Sequence, residues 1–167
     1  SLADKIDLLA SFWSINEKPT SSKDPFGLRR AAIGIIRLCL ENDINITFKE
    51  LLELSEQKFD LGDATNFLTE RLRVYVKDTG VKNSTFDACL RIVSDLGIST
   101  FVFHVNALDG FLNTMDGQKL LQLSKRALNI LFTEEKKDGV EYSLLPEKLE
   151  SLAFEELDLI KSLESSD

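Results

Sequence analysis

The side chains in this chain best able to act on another molecule are cations, and they fall in three groups. The first is the run Lys-Pro-Thr-Ser-Ser-Lys-Asp-Pro-Phe-Gly-Leu-Arg-Arg-Ala-Ala over residues 18–32, which carries Lys18, Lys23, Arg29 and Arg30. The second is Arg71, Arg73 and Lys77, followed by Lys82, and the third is Lys125 and Arg126 beside Asn129. Phosphates are held by such charges, and single-stranded bases need stacking planes and polar edges. Tyr75 and Phe86 are candidate planes, and the Asn129 amide could read a base edge. Arg73 and Lys77 are four apart, so they share a helix face. The competing reading is that these charges are solvated or paired with the many acids.

Bond-making chemistry is absent from the pattern. His104 is the lone histidine and has no Ser, Cys or Asp at a catalytic spacing. Asp4 and Asp7 could contribute to a metal site only with imidazoles that the chain lacks. Cys39 and Cys89 sit in apolar helical patterns, without metal-type spacing, and read as reduced core residues. Gly27 and Gly34 precede no Gly-Lys-Ser/Thr, so there is no phosphate loop.

The elements that must position the cations are helical almost throughout, from the spacing of apolar residues. Helices are expected over residues 3–15, 25–41, 48–57, 63–78, 85–96, 100–114 and 116–132, with an eighth from Pro146. In the second, Asp24 reads as the cap and Pro25 as the first helical residue. Ile33, Ile36 and Leu40 form its apolar stripe, and Arg30, Arg37 and Glu41 form another. Thr47 and Ser84 are expected caps, and Gly80 suits a left-handed helix end. Phe101, Val105, Leu108 and Leu112 make a buried stripe, and the charged stretch 133–139 reads as a loop. Only 101–105 competes as a strand, and it is short.

Composition bounds the partners. The 167 residues carry 20 Lys and Arg against 28 Asp and Glu, a net charge of −8. That excludes a strongly basic nucleic-acid binder but leaves room for local cationic patches, because screening makes near charges count most. No apolar run approaches the roughly 20 residues of a membrane span. The length allows one or two small domains with a real core.

Residues 18–32 resemble a Lys-Pro-Thr-Gly-Ser-Lys-Asp-Pro-Phe-Ala-Leu-Arg-Arg-Ala-Ala run of the glycyl-tRNA synthetase beta subunit family, the bacterial two-subunit type. Ser21 stands where the family has Gly, and Gly27 where it has Ala. Read as a helical residue, Gly27 weakens the helix start by roughly 1 kcal/mol. Residues 2–9 are similar to the family's Ala-Asp-Lys-Leu-Asp-Thr-Leu helix, and residues 67–77 to its Phe-Leu-x-Arg-Leu-x-Val-Tyr-Leu pattern. Residues 80–88 fit Gly-x-Arg-Tyr-Asp-Val-Ile-Asp-Ala loosely, with Lys82 and Asn83 replacing Arg and Tyr. Residues 125–131 resemble Lys-Arg-Val-x-Asn-Ile.

The resemblance implies an all-α piece of a longer subunit. Residues 1–61 would end a helical body, with Asp4 as a relic of a His-Asp-type hydrolase fold. Residues 62–167 would be an incomplete anticodon-binding-like helical domain. The piece would be non-catalytic and hold no cofactor or metal, while the complete cytoplasmic enzyme uses ATP with magnesium. Its partners would be glycine tRNA and the alpha subunit, in a heterotetramer of two alpha and two beta chains, with no membrane. The cations named above are the tRNA-binding candidates. Two other readings stand beside it: a helical protein-interaction scaffold, and a metal-dependent phosphohydrolase of the His-Asp class.

Overall fold

A computed structural model describes residues 1–20, 23–93 and 95–138. Their order is all-α: α1 (Leu2–Ser14), α2 (Leu28–Glu41), α3 (Phe48–Glu53), α4 (Leu61–Asp78), α5 (Asn83–Val93), α6 (Ile98–Leu112) and α7 (Met115–Asp138). The chain divides into two compact units, Ser1–Asp109 and Gly110–Asp167. Residue 61, the expected division between two domains, opens α4, which packs on α2 and α3 inside the first unit.

The first unit is built on α1 against α2, with α4 crossing both α2 and α3, and α5 packing on α4. Its centre is Leu9, Ala10, Ala32, Ile35, Ile36, Cys39, Leu68, Cys89 and Val105, all without exposed surface. Each fully buried Leu or Ile contributes about 1.5–3 kcal/mol through burial. Both cysteines lie in that core as free thiols, as their apolar setting suggested. Burial raises both thiols, Cys89 to about 11, which makes them poor nucleophiles.

Local sequence explains several helix ends. Thr47 and Glu50 form a capping box on α3: the Glu50 N–H donates to Thr47 Oγ1 at 3.1 Å, and the Thr47 N–H donates to Glu50 Oε2 at 2.9 Å. Asp60 Oδ1 accepts from the Asp63 N–H at 3.0 Å, so α4 starts two residues before the expected 63. Gly80, at φ 102, ends α4 in the left-handed form expected of it. The stretch 101–105 is helical.

Other expectations are corrected. α2 begins at Leu28, not Pro25. Residues 24–27 make a tight turn, closed by the Gly27 N–H on the Asp24 carbonyl at 3.2 Å, with Gly27 at φ 67. Gly27 therefore lies outside the helix, in a conformation that glycine adopts freely, and the helical penalty does not apply. The buried face of α2 is Leu28, Ala31, Ala32, Ile35, Ile36 and Cys39 rather than a stripe through Ile33 and Leu40. α3 stops at Glu53 instead of 57. Ser84 is not a cap, because α5 already includes Asn83 and the Lys82 carbonyl accepts from the N–H groups of Thr85 and Phe86. On α6, Phe101 and Val105 are buried, while Leu108 and Leu112 keep partial exposure. α7 runs on to Asp138, through most of the expected loop at 133–139. The helix expected from Pro146 lies outside the described residues.

Candidate nucleic-acid interface

The opening motif is built around Asp24. Its Oδ1 accepts from the Leu28 N–H at 2.8 Å and its Oδ2 from the Arg29 N–H at 3.0 Å. Two N–H groups of the α2 first turn are thus satisfied by one carboxylate, a cap worth roughly 1 kcal/mol. The turn before it is closed by the Thr20 N–H on the Lys23 carbonyl at 2.9 Å, and the Arg29 guanidinium donates to the Thr20 carbonyl. Arg29 therefore ties the motif to itself.

Lys18 is also structural. Its ammonium lies 2.8 Å from Asp63 Oδ2, which also accepts from the Trp13 indole N–H at 2.7 Å. The Lys18 ammonium, then the Trp13 N–H, hold the Asp63 carboxyl below the usual carboxylate range. This joint links the end of α1 and the motif to the first turn of α4. Trp13 stacks at a tilt on Phe67, 4.8 Å between centroids, and Arg71 lies over the other aromatic, Phe67, at 5.7 Å.

Arg73 and Lys77 do not form a joint cationic face. Arg73 donates to Glu70 Oε1 at 3.3 Å and to Asp87 Oδ1 on α5, and its guanidinium lies 4.8 Å from the Phe86 ring centroid. Asp87, more than Glu70, holds that guanidinium in its charged form. Arg73 is thus an α4–α5 clamp. Lys77 is exposed at the α4 end and Lys82 is exposed just before α5, with Asp78 between them. Neither has an ion pair among the described residues, nor do Lys23 and Arg30, which are exposed on the motif. Arg37 continues the Arg30 side of α2 two turns on, and it too is exposed. Lys125, Arg126 and Asn129 are exposed on α7, in the second unit.

The expected stacking planes change. Phe86 is 1% exposed and packs edge-on against Phe101, so it offers no face to a base. Tyr75 is half-buried. Phe26, within the helix expected over residues 25–41, is instead 44% exposed in the Asp24–Gly27 turn. Its signal was present: a phenylalanine directly before a glycine and flanked by cations.

The remaining chemistry is structural in form. The His104 Nδ1 donates to the Thr100 carbonyl at 2.8 Å, one turn back on α6. Asp4 is exposed and pairs with the Ser1 amino group at 2.7 Å. Among the described residues no cluster of His, Cys, Asp and Glu could hold a metal ion. A cleft of about 620 Å³ between α3, α4 and the start of α6 is lined by Phe48, Leu72, Ile98 and Phe101. Glu50, Glu53 and Asp95 outnumber Lys49 there, so it is ill-suited to phosphate. Among the described residues no helix is long and apolar enough to cross a membrane.

The described residues are thus all-helical, with exposed cations on the turn motif, at the α4–α5 corner, elsewhere along the first unit and on α7. A family model described as glycyl-tRNA synthetase beta subunit matches residues 1–91. The chain is 45% identical over 148 residues to the glycine–tRNA ligase beta subunit of Ruegeria sp. (strain TM1040), covering 89% of this chain and 22% of that protein. It is 45% identical over 154 residues to the counterpart in Cereibacter sphaeroides (strain ATCC 17029 / ATH 2.4.9), covering 86% and 22%. The counterpart in Paracoccus denitrificans (strain Pd 1222) is 45% identical over 143 residues, covering 86% and 21%. The chain belongs to the glycyl-tRNA synthetase beta subunit family. It spans about a fifth of the length of the curated relatives it matches.

Proposed function

We propose that this chain is a tRNA-binding part of the beta subunit of a glycine–tRNA ligase. It binds and positions glycine tRNA for ATP-dependent glycylation carried out with the alpha subunit. The observation that carries the reading is the set Lys23, Arg30, Lys77 and Lys82. These four are exposed, without ion pairs among the described residues, and within the stretch that the family model matches. On a body of net charge −8, cations left open at the surface favour a polyanion over generic protein contact.

In this reading the chain makes and breaks no bonds. Asp24, Arg29 and Lys18 fix the motif and its joint to α4, so that Lys23 and Arg30 meet phosphates from a rigid base. Lys77 and Lys82 contact phosphates from the α4–α5 corner, and Lys125 and Arg126 do so from α7, beside Asn129. Arg71 and Arg73 act through packing. Residues 1–61 belong to the subunit's helical body and 62–167 to an anticodon-binding-like part. ATP and magnesium are used by the complete enzyme, a cytoplasmic heterotetramer of two alpha and two beta chains.

Filter binding with glycine tRNA against a control tRNA tests this. With few phosphates neutralised, affinity falls with salt on a shallow slope, about 0.7 per contact for single-stranded RNA. Changing Arg30 and Lys77 together to Glu weakens binding while leaving helical circular dichroism intact. Equal binding of the double variant and the parent at low salt would remove this surface from consideration.

A further inference from the structure

Phe26 is an exposed aromatic ring on a hydrogen-bonded turn, with exposed cations before and after it in the chain. One face stacks on Phe12 of α1, with centroids 4.1 Å apart and planes 23° from parallel. The residue nevertheless keeps 44% of its surface exposed. The turn that carries it is fixed at both ends: the Gly27 N–H closes on the Asp24 carbonyl, and the Asp24 carboxylate takes the Leu28 and Arg29 N–H groups. That carboxylate also occupies the α2 N-terminus, so an arriving anion is not drawn there. Lys23, three residues before the ring, and Arg30, four after it, are exposed and have no ion pair among the described residues. Glu17 is the other nearby carboxylate in sequence, next to Lys18, whose charge Asp63 takes up.

Resting on the RNA-binding reading above, we infer that Phe26 is a stacking platform for one unpaired nucleotide of the bound RNA, with Lys23 and Arg30 taking the flanking phosphates. A π-face stacks on any base, and cations on either side fit the phosphates that precede and follow it. The pre-stacked Phe12 and the fixed turn mean that little side-chain freedom is lost on binding. A protein partner would favour the apolar surface but has no use for two cations without ion pairs three residues before and four after it in the chain, and the charge pattern favours RNA.

The test uses the whole 167-residue chain, a glycine tRNA transcript and a blunt RNA duplex without unpaired bases. Phe26→Ala weakens transcript binding roughly five- to a hundredfold, the range of one lost base stack, and leaves the weaker duplex binding unchanged. Phe26→Leu, apolar but without a π-face, weakens it as Ala does, whereas Phe26→Trp binds as the parent. The fluorescence of Phe26→Trp is quenched by the transcript beyond that of the parent, whose single tryptophan is buried. If Phe26→Ala fails to fold, the Leu and Trp variants decide. Parental binding by Phe26→Leu, or no added quenching in Phe26→Trp, overturns the platform. Loss of binding in Lys23→Glu and Arg30→Glu with Phe26→Ala unaffected also overturns it, while the proposed function stands. A parent chain that binds no RNA overturns both.

Discussion

Arg73 on α4 and Asp87 on α5 form an ion pair that doubles as a lid on Phe86: the guanidinium bonds to the carboxylate while lying 4.8 Å from the ring centroid. The arginine is 21% exposed and the aspartate 48%. Of the two readings the sequence left open for Arg73, a candidate RNA contact or a charge paired with acids, the pairing with Asp87 and Glu70 is observed.

Replacing Arg73 with Ala is expected to destabilise the chain by on the order of 1 kcal/mol, from a half-exposed ion pair and a cation–π contact. Chemical denaturation of Arg73→Ala, Asp87→Ala and the double variant measures it. The coupling between the two positions should be positive and below about 1 kcal/mol, since Asp87 is well solvated. Strict additivity would show that the pair contributes nothing. RNA affinity should follow stability in these variants, with no steeper loss.

Asp63 makes the joint of α1, the motif and α4 sensitive to acid. Its carboxyl is held below the usual range by Lys18 first and Trp13 second. A folded-state value below the unfolded one means that the contribution is complete above the unfolded aspartate value, about 3.9, and is lost as pH falls through the depressed folded value. Thermal midpoints of the parent should therefore drop below about pH 4, where the lowered carboxyls Asp4 and Glu50 titrate as well. Asp63→Asn should melt lower than the parent at pH 7, and the gap should narrow in acid. A gap that is constant from pH 7 to pH 3 would show that the Asp63 charge is not what Lys18 and Trp13 hold.

Gly97 lies where α6 meets the loop before α3. A Cβ there would come within 2.8 Å of the Asn45 backbone carbon, and backbone cannot swing aside. The same loop closes the α6 N-terminus: the Ile98 N–H donates to the Ile46 carbonyl at 3.0 Å and the Thr100 N–H to Asn45 Oδ1 at 3.2 Å. Gly97→Ala should thus cost roughly 1–3 kcal/mol, the range for forced backbone shifts in a packed site. Denaturant midpoints check it, and a gain in stability would mean that the loop yields freely.

Much of this chain was legible residue by residue because its signals are local. Thr47 with Glu50 three residues on, Gly80 after α4, and the apolar settings of Cys39 and Cys89 each depend on neighbours within a turn or two. Helical periodicity needs no more than that to declare the all-α class. Asp24-Pro25 was legible as a cap but not in its form, since the same residues can start a helix at once or make a tight turn first. The left-handed Gly27 selects the turn and puts Phe26 outside the helix, where its ring is open. Which aromatic is buried and which keeps an exposed ring was not in the local pattern. Phe86 is sealed by Phe101 and Arg73, which come from α6 and α4. The pairings of Lys18 with Asp63, Arg73 with Asp87 and Asn45 with α6 were likewise invisible, because they join residues far apart in the chain. The sequence determined the helical class, the ends at Thr47 and Gly80 and the supply of cations. The tertiary packing alone decided which cations were neutralised by distant carboxylates and which stayed exposed without an ion pair among the described residues, because that depends on charges meeting across helices rather than along one.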